Sequence, residues 1–270
     1  LVTRKSTIVR KRERKTSYDL PKINLAKTVD KLSAEIRKIV TSSGKNKVLI
    51  GLSGGVDSSV LCSLACRAIG PESVYALQLT YVTDEELKVK DGGIVARELG
   101  IRFKRLDITE PVELLAEMLR LPFHGEEAAI RRQEILDRVR ALVLMDISEQ
   151  ENMVFLSAAN KTESILGLGL TCGLFAPVPR PLIGLYKTYI FRLAEFLGLP
   201  EQVLIRNPSM ELWKSPLDAP LREVYEKIDK VIYLRIEKKF PPSRIKQAGF
   251  PPRFVNAVLR RIEEVSSRRN

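Results

Sequence analysis

"VLIGLSGGVDSSVL", Val48 to Leu61, is an apolar run that breaks into serine, two glycines and an aspartate and then turns apolar again. A strand that ends in Ser53-Gly54-Gly55 and resumes as a helix near Ser58 presents several backbone N–H groups at the positive end of a helix dipole. Such a turn is an anion site. Glycine lets the backbone lie against phosphate oxygens where a Cβ would collide, and Ser53 and Ser58 add hydroxyl donors. Asp57 is out of place there, because a carboxylate repels a phosphate unless a divalent cation lies between them. Its presence predicts Mg2+. The stretch lacks the Gly-Lys-Ser/Thr ending of a Walker A loop, which argues against a kinase or GTPase of that kind. The plainer alternative is a glycine-rich turn that binds nothing, but strand, loop and helix follow here in the order that anion binding requires.

Outward from this turn the strand-then-helix unit recurs. Before it, Leu25, Val29, Leu32, Ile36 and Val40 fall at helical spacing, and Gly44 stands where that helix stops. "KVLIGL" reads as a buried strand, and the helix after Asp57 runs through Ala68 to Gly70. "SVYALQL" is a second strand, Asp84 caps a helix through Leu99 with Gly100 as its stop, and "IRFKRLDI" is a third strand. A long helix, Glu126 to Ile147, leads to a fourth strand in "NMVFLSA". Helical stretches follow at Thr162 to Leu168 and in "KTYIFRLAEFLG", with a Gly/Pro-rich loop between them. Leu221 to Arg269 is mostly helix, broken at "FPPSR" and "GFPPR". The alternation predicts an α/β fold: a doubly wound, Rossmann-like parallel sheet with helices on both faces and a helical C-terminal part, residues 221–270.

The formal net charge is +12, which suggests a polyanion partner until it is divided along the chain. Residues 1–24 carry eight Lys/Arg against two acids and residues 241–270 seven against two, so the 216 residues between them are left with a net +1. The basic charge therefore sits at the ends. Residues 1–24 read as a basic arm and 25–270 as one catalytic domain. Either the ends are solvated, or they meet RNA or another polyanion. No apolar run approaches the ~20 residues that cross a bilayer, so a soluble protein is expected. Three cysteines, Cys62, Cys66 and Cys172, are too few for a disulfide framework and point to the reducing cytoplasm. A single histidine, His124, excludes a His-rich metal site.

"SGGVDSS", Ser53 to Ser59, resembles the signature of the PP-loop ATP pyrophosphatases, whose fold is that of the adenine nucleotide α-hydrolases. Members of that group cleave ATP between the α and β phosphates and move AMP onto a substrate oxygen. A nitrogen or sulfur nucleophile then displaces the AMP. Further segments are similar to the ammonia-dependent NAD synthetase branch: "SAANKTE", "DRVRALVL", "LYKTYIFRLAEFLGLP", "NPSMELW" and "VYEKIDKVI". The resemblance runs in order over about residues 25–265 and implies an ATP site made of Gly51, Ser53, Gly54, Gly55, Asp57, Ser58, Ser59, Gln78, Arg140, Ala158, Lys187 and Ser209. It places Asp57 and Glu163 on the magnesium carboxylates and Lys187 on the phosphate-contacting lysine, with Asp57, Lys187 and Ser209 as the catalytic set. Arg138 lies on the same Arg-x-Arg helix as Arg140. The implied reaction adenylates a carboxylate, most simply that of nicotinate adenine dinucleotide, and amidates it with ammonia. A homodimer through residues 110–147 is implied as well.

The residues also admit blander readings. Glu163 and Lys187 fit solvated helix surfaces, and Arg138 fits an i,i+4 pair with Glu134. The chain departs from the family in "LGLTCGLFAPVPRP", where Thr171 stands at a lysine position and Leu174 and Val178 at aspartate positions that hold the pyridine nucleotide. Ala158 stands at the family's threonine, and the C-terminal His-Lys is missing. Polar contacts of that kind set specificity, so the acceptor is the open half of the reaction. Two alternatives follow: an RNA-thiolating enzyme that uses the basic ends and Cys172, or a non-catalytic ATP-binding paralogue.

Overall fold

The computed structural model describes residues 18–82, 86–122, 125–168, 178–205 and 220–269. Four strands form one parallel sheet: β1 (Val48–Gly51), β2 (Val74–Thr80), β3 (Arg102–Asp107) and β4 (Val154–Leu156), in the order β3-β2-β1-β4. All four lie where the apolar runs predict them. The residues of β1, β2 and β4 alternate between two cores. Val48, Ile50, Val74, Ala76, Val154 and Leu156 enter one, whereas Leu49, Leu77, Leu79 and Phe155 enter the other. Both faces are buried over β1, β2 and β4, as their near-continuous apolar segments require, whereas the edge strand β3 is charged and largely exposed.

The first face is covered by α1 (Leu25–Ser42), α2 (Val56–Ile69), α3 (Glu86–Glu98), α7 (Lys187–Phe196), α9 (Leu221–Ile232) and α11 (Pro252–Arg269). The second is covered by α4 (Thr109–Met118) and α5 (Glu126–Gln150). Short helices complete the chain: α6 (Lys161–Leu166), α8 (Glu201–Ile205) and α10 (Pro242–Lys246). The predicted stops at Gly44, Gly70 and Gly100 all carry positive φ. Two helices, α4 and α8, were not read from the sequence. The long helix runs on to Gln150, and the cap expected at Asp84 lies outside the described residues. Among the described residues, no helix is long and apolar enough to cross a membrane.

The apolar stripe of α1 shows what holds the layers. Val29, Leu32, Ile36 and Val40 are all buried, and burial of each such side chain is worth about 1.5–3 kcal/mol. The Arg222–Glu195 ion pair between α9 and α7 is 40% and 45% exposed at its two side chains, and pairs of that kind contribute only about 0–1 kcal/mol. The packed face therefore dominates. Residues 18–24, the end of the predicted basic arm, join it: Tyr18, Leu20 and Ile23 pack on the first core, and the Tyr189 hydroxyl donates to the Pro21 carbonyl at 2.6 Å.

The chain leaves β1 to build β2 and β3 on one side, then returns to place β4 on the other. The carboxyl ends of β1 and β4 therefore flank the topological switch point, where doubly wound sheets bind ligands. From there α2 and α6 depart side by side. Behind them, Asp229 of α9 is fully buried and ties the layers together. It accepts from the Thr162 hydroxyl at 2.6 Å, and from the Thr188 N–H at 2.7 Å and hydroxyl at 2.6 Å. Thr162 in turn accepts from the Lys187 N–H at 2.9 Å. Burial raises the Asp229 carboxyl to about 6, against the pull of the two threonines. Asp229→Ala removes the acceptor of one buried N–H and two buried hydroxyls, of which only Thr162 keeps another bond, from the Lys187 N–H; each stranded donor costs about 1–3 kcal/mol. We expect urea denaturation to show a loss of roughly 2–4 kcal/mol.

Candidate active site

Three helix N-termini meet at the switch point. The Ser53-Gly54-Gly55 turn follows β1, with Gly54 at φ +81°, a conformation that a side chain would strain. Gly55 is the N-cap of α2, and its N–H donates to Ser53 Oγ at 3.2 Å. Its carbonyl accepts from the Ser58 and Ser59 hydroxyls at 3.0 and 2.9 Å. Asp57 sits in the first turn of α2. Asn160 caps α6, its Oδ1 accepting from the Glu163 N–H at 2.9 Å, so Glu163 stands in that helix's first turn. Lys187 is the first residue of α7, after the Tyr186 cap.

The Lys187 ammonium donates to Asp57 Oδ2 and, at 3.0 Å, to Glu163 Oε1. Its side chain is only 2% exposed, against 15% for Asp57 and 18% for Glu163. These are not solvated helix surfaces. The ring of Tyr225, itself buried, lies with its centroid 5.4 Å from the ammonium, within cation–π reach. Burial alone would lower the lysine, but the charges of Asp57 and Glu163 outweigh it and hold the group above its ordinary value. Glu163 moves the other way for a carboxyl. Burial, then the negative Asp57, push it up from 4.5 to about 7, against the pull of Lys187.

The other predicted residues fall into place around this centre or away from it. Ala158 lies between β4 and α6, half-buried on the first core. Gly51 ends β1, and a Cβ there would stand 2.9 Å from Leu144 Cδ1 of α5, so that side chain would have to shift to admit one. Gln78 is buried on β2, where its Oε1 accepts from Arg105 Nε at 3.2 Å. Arg140 on α5 pairs with Asp137 at 3.8 Å, and Arg138 pairs with Glu134 at 3.4 Å, as the i,i+4 reading has it. Ser209, Thr171, Cys172 and Leu174 lie outside the described residues. Val178 is described, and it packs on the second core. The sequence reading gave no role to Asn160, Thr162, Tyr225 or Asp229. The Asn160-Lys-Thr-Glu163 spacing is a capping pattern and was the available signal for the first.

A parallel sheet whose first strand runs through Ser-Gly-Gly into a helix N-terminus, with a lysine and two carboxylates at the switch point, has the fold of the PP-loop, Rossmann-like nucleotide enzymes. The profile of the family described as NAD synthase matches residues 28–270. The NH(3)-dependent NAD(+) synthetase of Chlorobium phaeobacteroides (strain BS1) is 34% identical over 243 residues, 89% of this chain and 85% of that one. The protein of that name from Thermococcus sibiricus is 30% identical over 91% of this chain and 92% of its own. The chain belongs to the NAD synthase family. Its fold matches a solved NH3-dependent NAD synthetase from Campylobacter jejuni with TM-score 0.73 at 22% identity, over 92% of this chain and 97% of that one. An NMN synthetase from Francisella tularensis matches with TM-score 0.70 at 23% identity, over 92% and 94%.

The raised Glu163 carboxyl has a consequence of definite sign. Between 4.5 and about 7 the folded protein keeps a proton that the unfolded chain has released, so stability falls as pH rises through that window. Glu163→Gln cannot titrate. In paired denaturation series, the stability of the wild type relative to Glu163→Gln is expected to shrink over the same window; a constant or growing difference contradicts the assignment.

Proposed function

We propose that the chain is an ammonia-dependent NAD synthetase, an AMP-forming carbon–nitrogen ligase that amidates the carboxylate of nicotinate adenine dinucleotide at the expense of ATP. The observation that carries this is the convergence of Lys187, Asp57 and Glu163 at the mouth of the Ser53–Ser59 turn. The names of the matched relatives favour amidation over the RNA-modifying and non-catalytic alternatives.

In this reading the Ser53-Gly54-Gly55 turn and the Ser58 and Ser59 N-terminal turn hold the triphosphate, with Gln78 toward the adenosine and Ser209 and Arg140 toward the phosphates. A carboxylate oxygen of the acceptor attacks the α-phosphorus, the bond to the β-phosphate oxygen breaks, and pyrophosphate leaves. Lys187 is a full positive charge in a water-poor site, so it steadies the charge that develops on the leaving group. Ammonia then attacks the acyl carbon, AMP departs, and the nitrogen loses a proton. The residues fit a magnesium ion: Asp57 Oδ2 and Glu163 Oε1 already converge on one cationic group, and two carboxylates with substrate phosphates are a usual Mg2+ set. When bound, the ion would neutralise charge on the phosphates.

The remaining expectations have unequal support. Leu114 and Met118 on α4, Leu119 just after it and Leu142 on α5 are more than half exposed, which supports a second copy covering the region around residues 110–147. Burial raises the thiols of Cys62 and Cys66, which makes both poor nucleophiles; Cys172, on which the thiolation alternative rests, lies outside the described residues. We take the cytoplasm as the site of action on cysteine usage alone.

With ATP, Mg2+, ammonia and nicotinate adenine dinucleotide, AMP, pyrophosphate and NAD are expected to form in equal amounts. Lys187→Ala is expected to slow all three by roughly 100-fold or more. ATP turnover without NAD would leave the adenylating half standing and reject this acceptor; no turnover at all would favour the non-catalytic reading.

A further inference from the structure

Asn160 is fully buried and uses both ends of its amide. Its Oδ1 accepts from the Glu163 N–H at 2.9 Å, which caps α6. Its Nδ2 donates to Asp57 Oδ1 at 2.7 Å, across 103 residues of sequence and onto a different helix. The orientation is self-consistent, because a flipped amide would set its NH2 against an N–H and its oxygen against a carboxylate. The cap alone does not explain asparagine. Serine, aspartate and asparagine cap helices about equally well. A serine oxygen that sits on the Glu163 N–H is too short to reach Asp57 as well, and an ionised aspartate has no proton to donate.

The two oxygens of Asp57 are thus divided: Oδ1 goes to Asn160 and Oδ2 to Lys187. The lysine bond is the one given up when its ammonium turns to a phosphate chain, in the reading proposed above. The Asn160 bond need not break. It joins Asp57 directly to the turn of backbone that carries Glu163, so the spacing of the two carboxylates survives the departure of the lysine. We propose that Asn160 is a positioning residue of the nucleotide site, which fixes Asp57 of α2 against Glu163 of α6 so that the two carboxylates take up one cation together with the nucleotide. The inference rests on the reading of this site as one for ATP with Mg2+. Partners that orient metal-binding side chains typically matter by 10- to 100-fold in metal affinity or activity.

The test compares Asn160→Ser, which keeps a cap and loses the reach to Asp57, with Asn160→Ala, which loses both. The probe is α,β-methylene-ATP, which resists cleavage between the α and β phosphates, titrated calorimetrically over a series of Mg2+ concentrations, with melting temperatures alongside. Both variants are expected to bind the probe about 10- to 100-fold more weakly and to need more Mg2+ for half-maximal binding. Only Asn160→Ala is expected to show the further drop in melting temperature that comes with a lost cap. Asn160→Ser binding within twofold of wild type, with an unchanged Mg2+ requirement, overturns the proposal and leaves Asn160 as a helix cap. A wild-type protein that does not bind the probe at all instead rejects the nucleotide reading on which the proposal rests.

Discussion

One lysine ammonium, shared between two carboxylates at the junction of three helix N-termini, is the interaction around which the site is built. Each partner alone would be a costly group to bury, since removing one member of a buried ion pair typically costs several kcal/mol. The cluster persists because its surroundings are over-determined. Asp229 and the two threonines fix where α7 starts, Asn160 fixes α6 against α2, and the Tyr225 ring lies within cation–π reach of the ammonium. The sheet order then delivers this cluster to the one place where α2 and α6 emerge next to each other.

Much of this was legible in the sequence. Strands β1, β2 and β4 were visible because both faces of the sheet are buried there, which makes their segments near-continuously apolar; the charged, exposed edge strand β3 lacks that signal. The Ser53–Ser59 turn was visible because few other local structures require two glycines between a strand and an acidic helix start. Asp57, Glu163 and Lys187 were legible as a set only through the family resemblance, since nothing local to residues 57, 163 and 187 states that they meet. The collar behind them was harder still. Asp229 lies on an amphipathic helix where an aspartate reads as a surface residue, and its burial depends on hydroxyl groups 67 and 41 residues away. Helix α4 carries a proline within its first turn and several leucines left exposed, so its periodicity did not stand out.

The division seen in the sequence between a well-marked nucleotide half and an altered acceptor half has a counterpart in the fold. The nucleotide half is held by buried, long-range hydrogen bonds. Val178, which the resemblance places at an acceptor-binding position, packs on the second core. The loop it closes is anchored at both ends: Ser157 donates to the Pro179 carbonyl at 3.0 Å, and Arg261 of α11 donates to the Leu166 carbonyl at 2.8 Å. Leu166 and Pro179 are therefore held to the body on either side of that segment.

The central claim is that this cluster serves cleavage of ATP at the α-phosphorus by a carboxylate. The most direct measurement follows heavy oxygen from a labelled acceptor carboxylate through a single turnover with ATP and ammonia. The account predicts one labelled oxygen in the AMP released and none in pyrophosphate. Label in orthophosphate, which would mean attack at the terminal phosphate, or AMP carrying oxygen only from water, would contradict it.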